Sequence, residues 1–80
     1  MTDNLRQLIC DVLIQATDKS LKELSVDSLL QSGVIDSLTV LAVVNGLEER
    51  LDIEFDEDDL EVANFDSINR IESLIRKKYL

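Results

Sequence analysis

Histidine, proline and tryptophan are absent from this chain of 80 residues, and cysteine occurs once. Without histidine the chain cannot carry Ser-His-Asp or Cys-His catalysis, and nearly all zinc sites are excluded as well. Because Cys10 stands alone, no disulfide can form within the chain, and we expect a small, partly buried side chain there. With two phenylalanines and one tyrosine as the only aromatic residues, the core must be aliphatic.

Positive charge is also scarce, since 8 lysines and arginines stand against 17 aspartates and glutamates and give a net charge of −9. This balance argues against nucleic acid and anionic membrane surfaces as partners, because both attract basic residues. An acidic surface instead attracts partners with basic patches. No segment has the length of a membrane span and no signal peptide is evident, so we expect a cytoplasmic protein without membrane insertion. The length predicts one domain, residues 1–80, and we expect a monomer.

Apolar spacing predicts an all-α fold, a small bundle of three main helices plus one short helix. The first helix should run from Asp3 to about Thr17, with Thr2 or Asp3 as its cap. A long ordered loop, residues 18–36, should follow, because it holds too many apolar residues for a solvated linker. The second helix should run from about Ser37 to Leu51. Its predicted core-facing residues are Val40, Val43, Val44, Leu47 and Leu51.

The remainder of the chain predicts a turn, a short helix and a last main helix. Ile53 and Phe55 should be buried in the turn, and Glu57 to Val62 could form one short helical piece. The last helix opens near Asp66, its predicted N-cap, and Tyr79 should close it. Its predicted apolar stripe consists of Ile68, Ile71, Leu74 and Ile75.

The acidic stretch from Asp52 to Glu61 suggests a calcium loop, but it lacks the glycine that an EF-hand needs at its sixth position. A solvated acidic face is the favoured interpretation, and a small cation-binding regulator stays as an alternative. A catalytic pair of carboxylates would need an enclosed pocket that raises one pKa, and so short a chain has little room for one. We therefore expect no catalytic residues and no metal site.

Three Asp-Ser pairs occur, with their serines at Ser28, Ser37 and Ser67. Ser37 differs in context, because a long predicted helix follows it and Gly33, which can adopt positive φ, lies four residues before it. A serine at a helix start lies close to unpaired N–H groups and to the positive end of the helix dipole, which suits a phosphate. Local chemistry leaves two interpretations equally open: Ser37 is a helix cap or a modification site.

The segment Gly33-Val34-Ile35-Asp36-Ser37-Leu38 resembles the phosphopantetheine attachment motif of acyl and peptidyl carrier proteins. The similarity continues through residues 47–55 and into Phe65-Asp66-Ser67-Ile68, and so covers essentially the whole chain. The resemblance implies an acyl-carrier-like bundle with covalent 4'-phosphopantetheine on Ser37, flanked by Asp36 and Leu38. It further implies that a phosphopantetheinyl transferase transfers this group from coenzyme A, and that the carrier itself catalyses nothing.

In the family, the second helix is also the main docking surface for partner enzymes. The residues that the resemblance assigns to docking are Leu38, Leu41, Ala42, Asn45, Glu48 and Glu49. Thr39 and Ala42 depart from the pattern, because those positions are acidic in typical fatty-acid carriers. This more apolar flank indicates a specialised stand-alone carrier served by few partners.

The cargo is expected to be an acyl group held as a thioester and passed to an acyl transferase or synthase. The alternative is an aminoacyl group, D-alanyl or peptidyl in type, supplied by an adenylate-forming ligase. A third interpretation is a helical interaction module that is never modified, in which Ser37 is only an N-cap.

Overall fold

A computed structural model describes residues 3–79 and is all-helical, with no strand among these residues. Four α-helices are present: α1 (Asp3–Thr17), α2 (Leu21–Leu24), α3 (Ser37–Leu51) and α4 (Ile68–Lys78). Two short 3-10 helices, Glu57–Asp59 and Val62–Phe65, lie between α3 and α4. The predicted all-α bundle with three main helices is confirmed. None of the helices in the described part of the chain has the length and apolar character needed to cross a bilayer.

The two longest helices, α1 and α3, pack closely because Gly46 faces Val12. A Cβ atom on Gly46 would lie 2.9 Å from Val12 Cγ1, which is closer than such atoms approach in real structures. The glycine therefore allows this close approach between the helices, at a cost in helix propensity of about 1 kcal/mol. Cys10 is buried on the same helix as Val12, and burial raises the pKa of its thiol.

The core is aliphatic, with two phenylalanines added. Ile53, which was predicted to be buried, is only half-buried at its edge, whereas Phe55 is buried as predicted. Leu51, which was predicted to face the core, packs against it and is half-buried. Phe55 and Phe65 meet edge to face with ring centroids 5.6 Å apart. The residues of α3 that face the core are Val40, Val43, Val44 and Leu47, and those of α4 are Ile68, Ile71 and Ile75.

The bounds of α1 and α3 match the prediction, but the long connection between them contains a helix that was not predicted. Ser20 caps α2 in a capping box, in which its hydroxyl accepts from the Glu23 N–H and the Glu23 carboxylate accepts from the Ser20 N–H. Four residues are too few to show a helical period, so the apolar pattern did not reveal α2. Of the two caps predicted for α1, Thr2 lies outside the described residues and Asp3 is itself helical.

The prediction of one helical piece from Glu57 to Val62 is wrong, because the chain leaves the helical conformation at Leu60 and forms two 3-10 helices. The prediction of a solvated acidic face is also wrong at Asp59, whose exposed fraction is only 8%. The Asp59 carboxylate accepts from the Tyr79 hydroxyl at 2.7 Å and from Lys78 Nζ at 2.8 Å. These bonds lower the pKa of Asp59 and join the end of α4 to the first 3-10 helix.

Candidate functional site

Ser37 is the first residue of α3, and its side chain is exposed. The residue before it, Asp36, is the N-cap: its carboxylate accepts from the Thr39 N–H at 2.9 Å and from the Thr39 hydroxyl at 3.0 Å. Within residues 3–79 the Ser37 hydroxyl has no hydrogen-bond partner. The interpretation of Ser37 as the N-cap is therefore wrong, because Asp36 has that role.

The electrostatics at this helix start combine a fixed negative charge with the positive end of a helix. The hydrogen bonds from Thr39, with its backbone N–H first, lower the pKa of Asp36, so the carboxylate is ionised at neutral pH. The 15-residue helix α3 directs its N-terminal N–H groups towards the same place. A phosphate bonded to Ser37 Oγ would lie at a helix N-terminus in solvent, where its charge is favourable. The residues present fit a covalently attached phosphate.

Exposed apolar side chains lie directly beside Ser37. Leu38 is 77% exposed and Leu41 is 58% exposed, and both lie within the first two turns of α3. Ala42, Asn45 and Glu49 are also exposed. The structure thus brings five of the six predicted docking residues to the solvent on α3.

The sixth predicted docking residue, Glu48, is half-buried and has an internal bond. Its carboxylate accepts from the Phe55 N–H at 2.9 Å, and its carbonyl accepts from the N–H of Ile53 at 3.2 Å. Asp52, with φ 56°, ends α3 in the left-handed conformation that reverses the chain there. The Glu48 side chain therefore supports the turn after α3.

The loop before Ser37 is ordered by its own backbone. The Leu29 carbonyl accepts from the Val34 N–H at 3.1 Å, from the Ile35 N–H at 3.3 Å and from the Ser32 hydroxyl at 3.0 Å. Gly33 has φ 79°, as the sequence predicts, and a Cβ there would meet no atom within 4 Å. The glycine is thus needed for its backbone conformation and not for space.

The Asp-Ser pair at the start of α4 is arranged differently from the prediction. Ser67 is the N-cap: its hydroxyl is nearly buried and accepts from the Arg70 N–H at 3.1 Å. Asp66, the predicted cap, instead accepts from the Ser28 hydroxyl at 2.9 Å and from the Leu30 N–H at 2.9 Å. The prediction of Asp66 as the cap is wrong because these loop donors occupy its carboxylate.

Sequence reasoning missed this contact between Asp66 and the loop. Ser28 and Asp66 are 38 positions apart, and no local period reports a bond over that distance. The only signal in the sequence is that each belongs to an Asp-Ser pair. Of the three serines in such pairs, Ser28 and Ser67 have their hydroxyls engaged within the protein, and Ser37 does not.

No three side chains of Asp, Glu or Cys within the described range 3–79 are placed to share a metal ion. The cation-binding alternative for the acidic stretch from Asp52 to Glu61 therefore has no clustered set of ligands to support it.

Comparison with known protein families matches residues 3–75 to the family described as "phosphopantetheine attachment site". The match includes α1, α2 and α3 in full and extends to the penultimate turn of α4. Comparisons with curated proteins and with solved structures gave no match.

Proposed function

This chain belongs to the phosphopantetheine-attachment family, and we propose that Ser37 is the residue on which it carries its cofactor. The cofactor of the family is covalently attached 4'-phosphopantetheine. The observation that carries the proposal is the free, exposed hydroxyl of Ser37 at the start of α3, next to a cap that is supplied by another residue. Ser28 and Ser67 are poor candidates, because modification of either would break a hydrogen bond that the fold uses.

The part that Ser37 plays in loading is that of a nucleophile. Its Oγ bonds to the phosphorus of coenzyme A that bears the pantetheine, the phosphoanhydride bond breaks, and the nucleotide leaves with the other phosphate. The hydroxyl proton passes to a base of the phosphopantetheinyl transferase, since the chain has no histidine and the lowered pKa of Asp36 makes its carboxylate a weak base. When attached, the group supplies a terminal thiol that holds cargo as a thioester.

Asp36 has a supporting role in this proposal. By capping α3 it fixes the start of the helix without using the Ser37 hydroxyl. If Ser37 were the N-cap, its hydroxyl oxygen would accept a hydrogen bond from the backbone N–H two or three residues later in the helix. The one-residue offset between cap and serine therefore keeps the hydroxyl available to solvent.

The exposed leucines beside Ser37 support docking of partner enzymes on α3. Leu38 and Leu41 give a partner apolar surface to bury, and removal of apolar surface from water favours protein association. The transferase, a ligase that activates the cargo, and an acyl transferase or synthase would each bind next to the serine. Glu49 adds a negative charge at the far end of this surface.

The cargo is proposed to be an acyl group, with an aminoacyl group as the second candidate. The second candidate is favoured by the neutral flank of α3, where Thr39 and Ala42 leave no acidic side chain within the first two turns. Such a flank suits one dedicated ligase better than many basic partners. Carrier domains of this family are generally non-catalytic, and we propose the same for this chain in a cytoplasmic setting.

The test is incubation with coenzyme A and a broad-specificity phosphopantetheinyl transferase, followed by measurement of the intact mass. The wild-type chain should gain the mass of one phosphopantetheine, and Ser37→Ala should gain none. Ser67→Ala is the matched control, because it removes the serine of the other helix-opening pair, and it should be modified like the wild type. No gain in the wild type, or an equal gain in Ser37→Ala, would overturn the proposal.

A further inference from the structure

One residue at the start of α4 holds the loop that leads to Ser37. The Asp66 carboxylate accepts from the Leu30 N–H at 2.9 Å, and the Ser28 hydroxyl donates to its two oxygens at 2.9 Å and 3.0 Å. The Asp66 carbonyl accepts from the Leu29 N–H at 2.7 Å. Three consecutive loop residues are therefore bonded to Asp66, which makes no cap bond to its own helix.

A continuous series of contacts leads from these residues to the serine. Leu29 is fully buried, and its carbonyl accepts from the N–H groups of Val34 and Ile35. Ile35 is buried in the core, and the next residue, Asp36, is the cap of α3. The position of Ser37 is thus set from one side by α3 and from the other by the loop, whose far end is bonded to Asp66.

The Asp66 contact is strong for a bond outside regular secondary structure. The carboxylate is half-buried, and the Leu30 N–H lowers its pKa, with smaller contributions from Ser28 and the positive charge of Arg70. Asp66 is therefore ionised at neutral pH, and its hydrogen bonds are charge-assisted, which makes them roughly twice as strong as neutral ones. Ser28 also accepts from the Gln31 N–H at 3.2 Å, so its hydroxyl joins the carboxylate to the turn that follows.

We propose that Asp66 and Ser28 are positioning residues for the loading of Ser37, which rests on Ser37 being the attachment residue. They hold residues 28–35 in the conformation in which the transferase binds the carrier and modifies Ser37. Without them the loop samples other conformations, and only a fraction of the molecules presents Ser37 correctly. When only a fraction of the molecules is in the binding-competent state, the apparent Kd equals the intrinsic Kd divided by that fraction, so the partner binds more weakly.

The experiment is steady-state kinetics of loading with coenzyme A and a broad-specificity phosphopantetheinyl transferase, at a temperature where circular dichroism shows every variant to be folded. For Asp66→Ala and Ser28→Ala the KM for the carrier should rise about fivefold, with kcat within about twofold of wild type. Ser28→Thr keeps the hydroxyl and should restore the wild-type KM. Ser67→Ala is the matched control, because it removes the cap of α4 without touching the loop, and its KM should not change.

A wild-type KM in both folded alanine variants would overturn the positioning role, as would an equal rise in Ser67→Ala. If Asp66→Ala does not fold, Ser28→Ala with its Ser28→Thr rescue decides the question, because it deletes one hydroxyl and leaves the bonds from Leu29 and Leu30 in place. Failure of the proposed function has a different signature: the wild type itself would gain no mass. Normal loading of the wild type with unchanged KM in the variants would reject the positioning role alone.

Discussion

Helices α3 and α4 both open with aspartate, serine and an apolar residue, yet they use the pair in opposite ways. In α3 the aspartate caps the helix and the serine is free, whereas in α4 the serine caps the helix and the aspartate bonds to a distant loop. The cap is thus shifted by one residue between two nearly identical segments. The side chain of the capping residue is bonded to a backbone N–H of the helix, and the side chain of its neighbour can make other contacts.

The surroundings decide the shift. Asp66 lies within reach of the Leu30 N–H and the Ser28 hydroxyl, so its carboxylate is occupied and Ser67 takes over the cap. Asp36 has Thr39, which offers a backbone N–H and a hydroxyl to the same oxygen. At these two helix starts the serine hydroxyl is therefore left without a bond to residues 3–79 only where the aspartate is the cap.

The largest expected effect on stability separates the two aspartates. Asp66→Ala should lower the free energy of unfolding by about 2 kcal/mol, because it leaves the Leu30 N–H and the Ser28 hydroxyl without a half-buried acceptor. Asp36→Ala should cost less, because its carboxylate and the groups it binds are more exposed to water. Urea denaturation followed by circular dichroism measures both. Equal losses would mean that the loop contact of Asp66 contributes nothing beyond an ordinary cap.

The two serines should differ in the opposite sense. Ser67→Ala should lower the free energy of unfolding by about 1 kcal/mol, since it deletes the hydroxyl that caps α4. Ser37→Ala removes no hydrogen bond within the described residues and should stay within about 0.5 kcal/mol of wild type. Thermal unfolding of both variants provides the measurement. A clear loss in Ser37→Ala would show that its hydroxyl supports the fold and would break the contrast between the helices.

The smallest expected effect is the contribution of each aspartate to the loss of stability at acid pH. Both carboxyls have a pKa below the ordinary value, so each contributes stability that is fully present at neutral pH and is lost as the pH falls through its folded-state pKa. Asparagine keeps an acceptor oxygen but cannot ionise. Asp66→Asn should therefore flatten the pH dependence of the unfolding free energy below about pH 4, and more than Asp36→Asn. A larger flattening in Asp36→Asn would reverse the proposed ranking of the two contacts.

Sequence reasoning predicted the long helices well, because their apolar periods extend over four turns. The bounds of α1 and α3 agree with the prediction, and Gly33 adopts the positive φ expected of it. The short elements could not be predicted in this way: α2 has four residues, and the break at Leu60 follows Asp59, whose carboxylate bonds to Tyr79, 20 positions away.

The candidate site was predicted in part. The sequence singled out Ser37 but left open whether it is a cap or a modification site, because a serine at a helix start is suited to either role. Three-dimensional contacts assign the cap to Asp36 and show that the Asp66 carboxylate accepts from the Leu30 N–H, 36 positions away. Attachment at Ser37 and docking on α3 stay predictions.

The contact between Tyr79 and Asp59 also has a practical consequence for spectroscopy. Tyr79 is the only tyrosine and the chain has no tryptophan, so tyrosine emission from the whole protein comes from one ring. That ring lies 5.0 Å from Phe55, centroid to centroid, and its hydroxyl donates to Asp59 and accepts from the Asp56 N–H at 2.8 Å. Intrinsic fluorescence therefore reports the junction of α4 with the first 3-10 helix without an introduced label. The signal would follow the integrity of the fold in every Ser37, Asp36 and Asp66 variant.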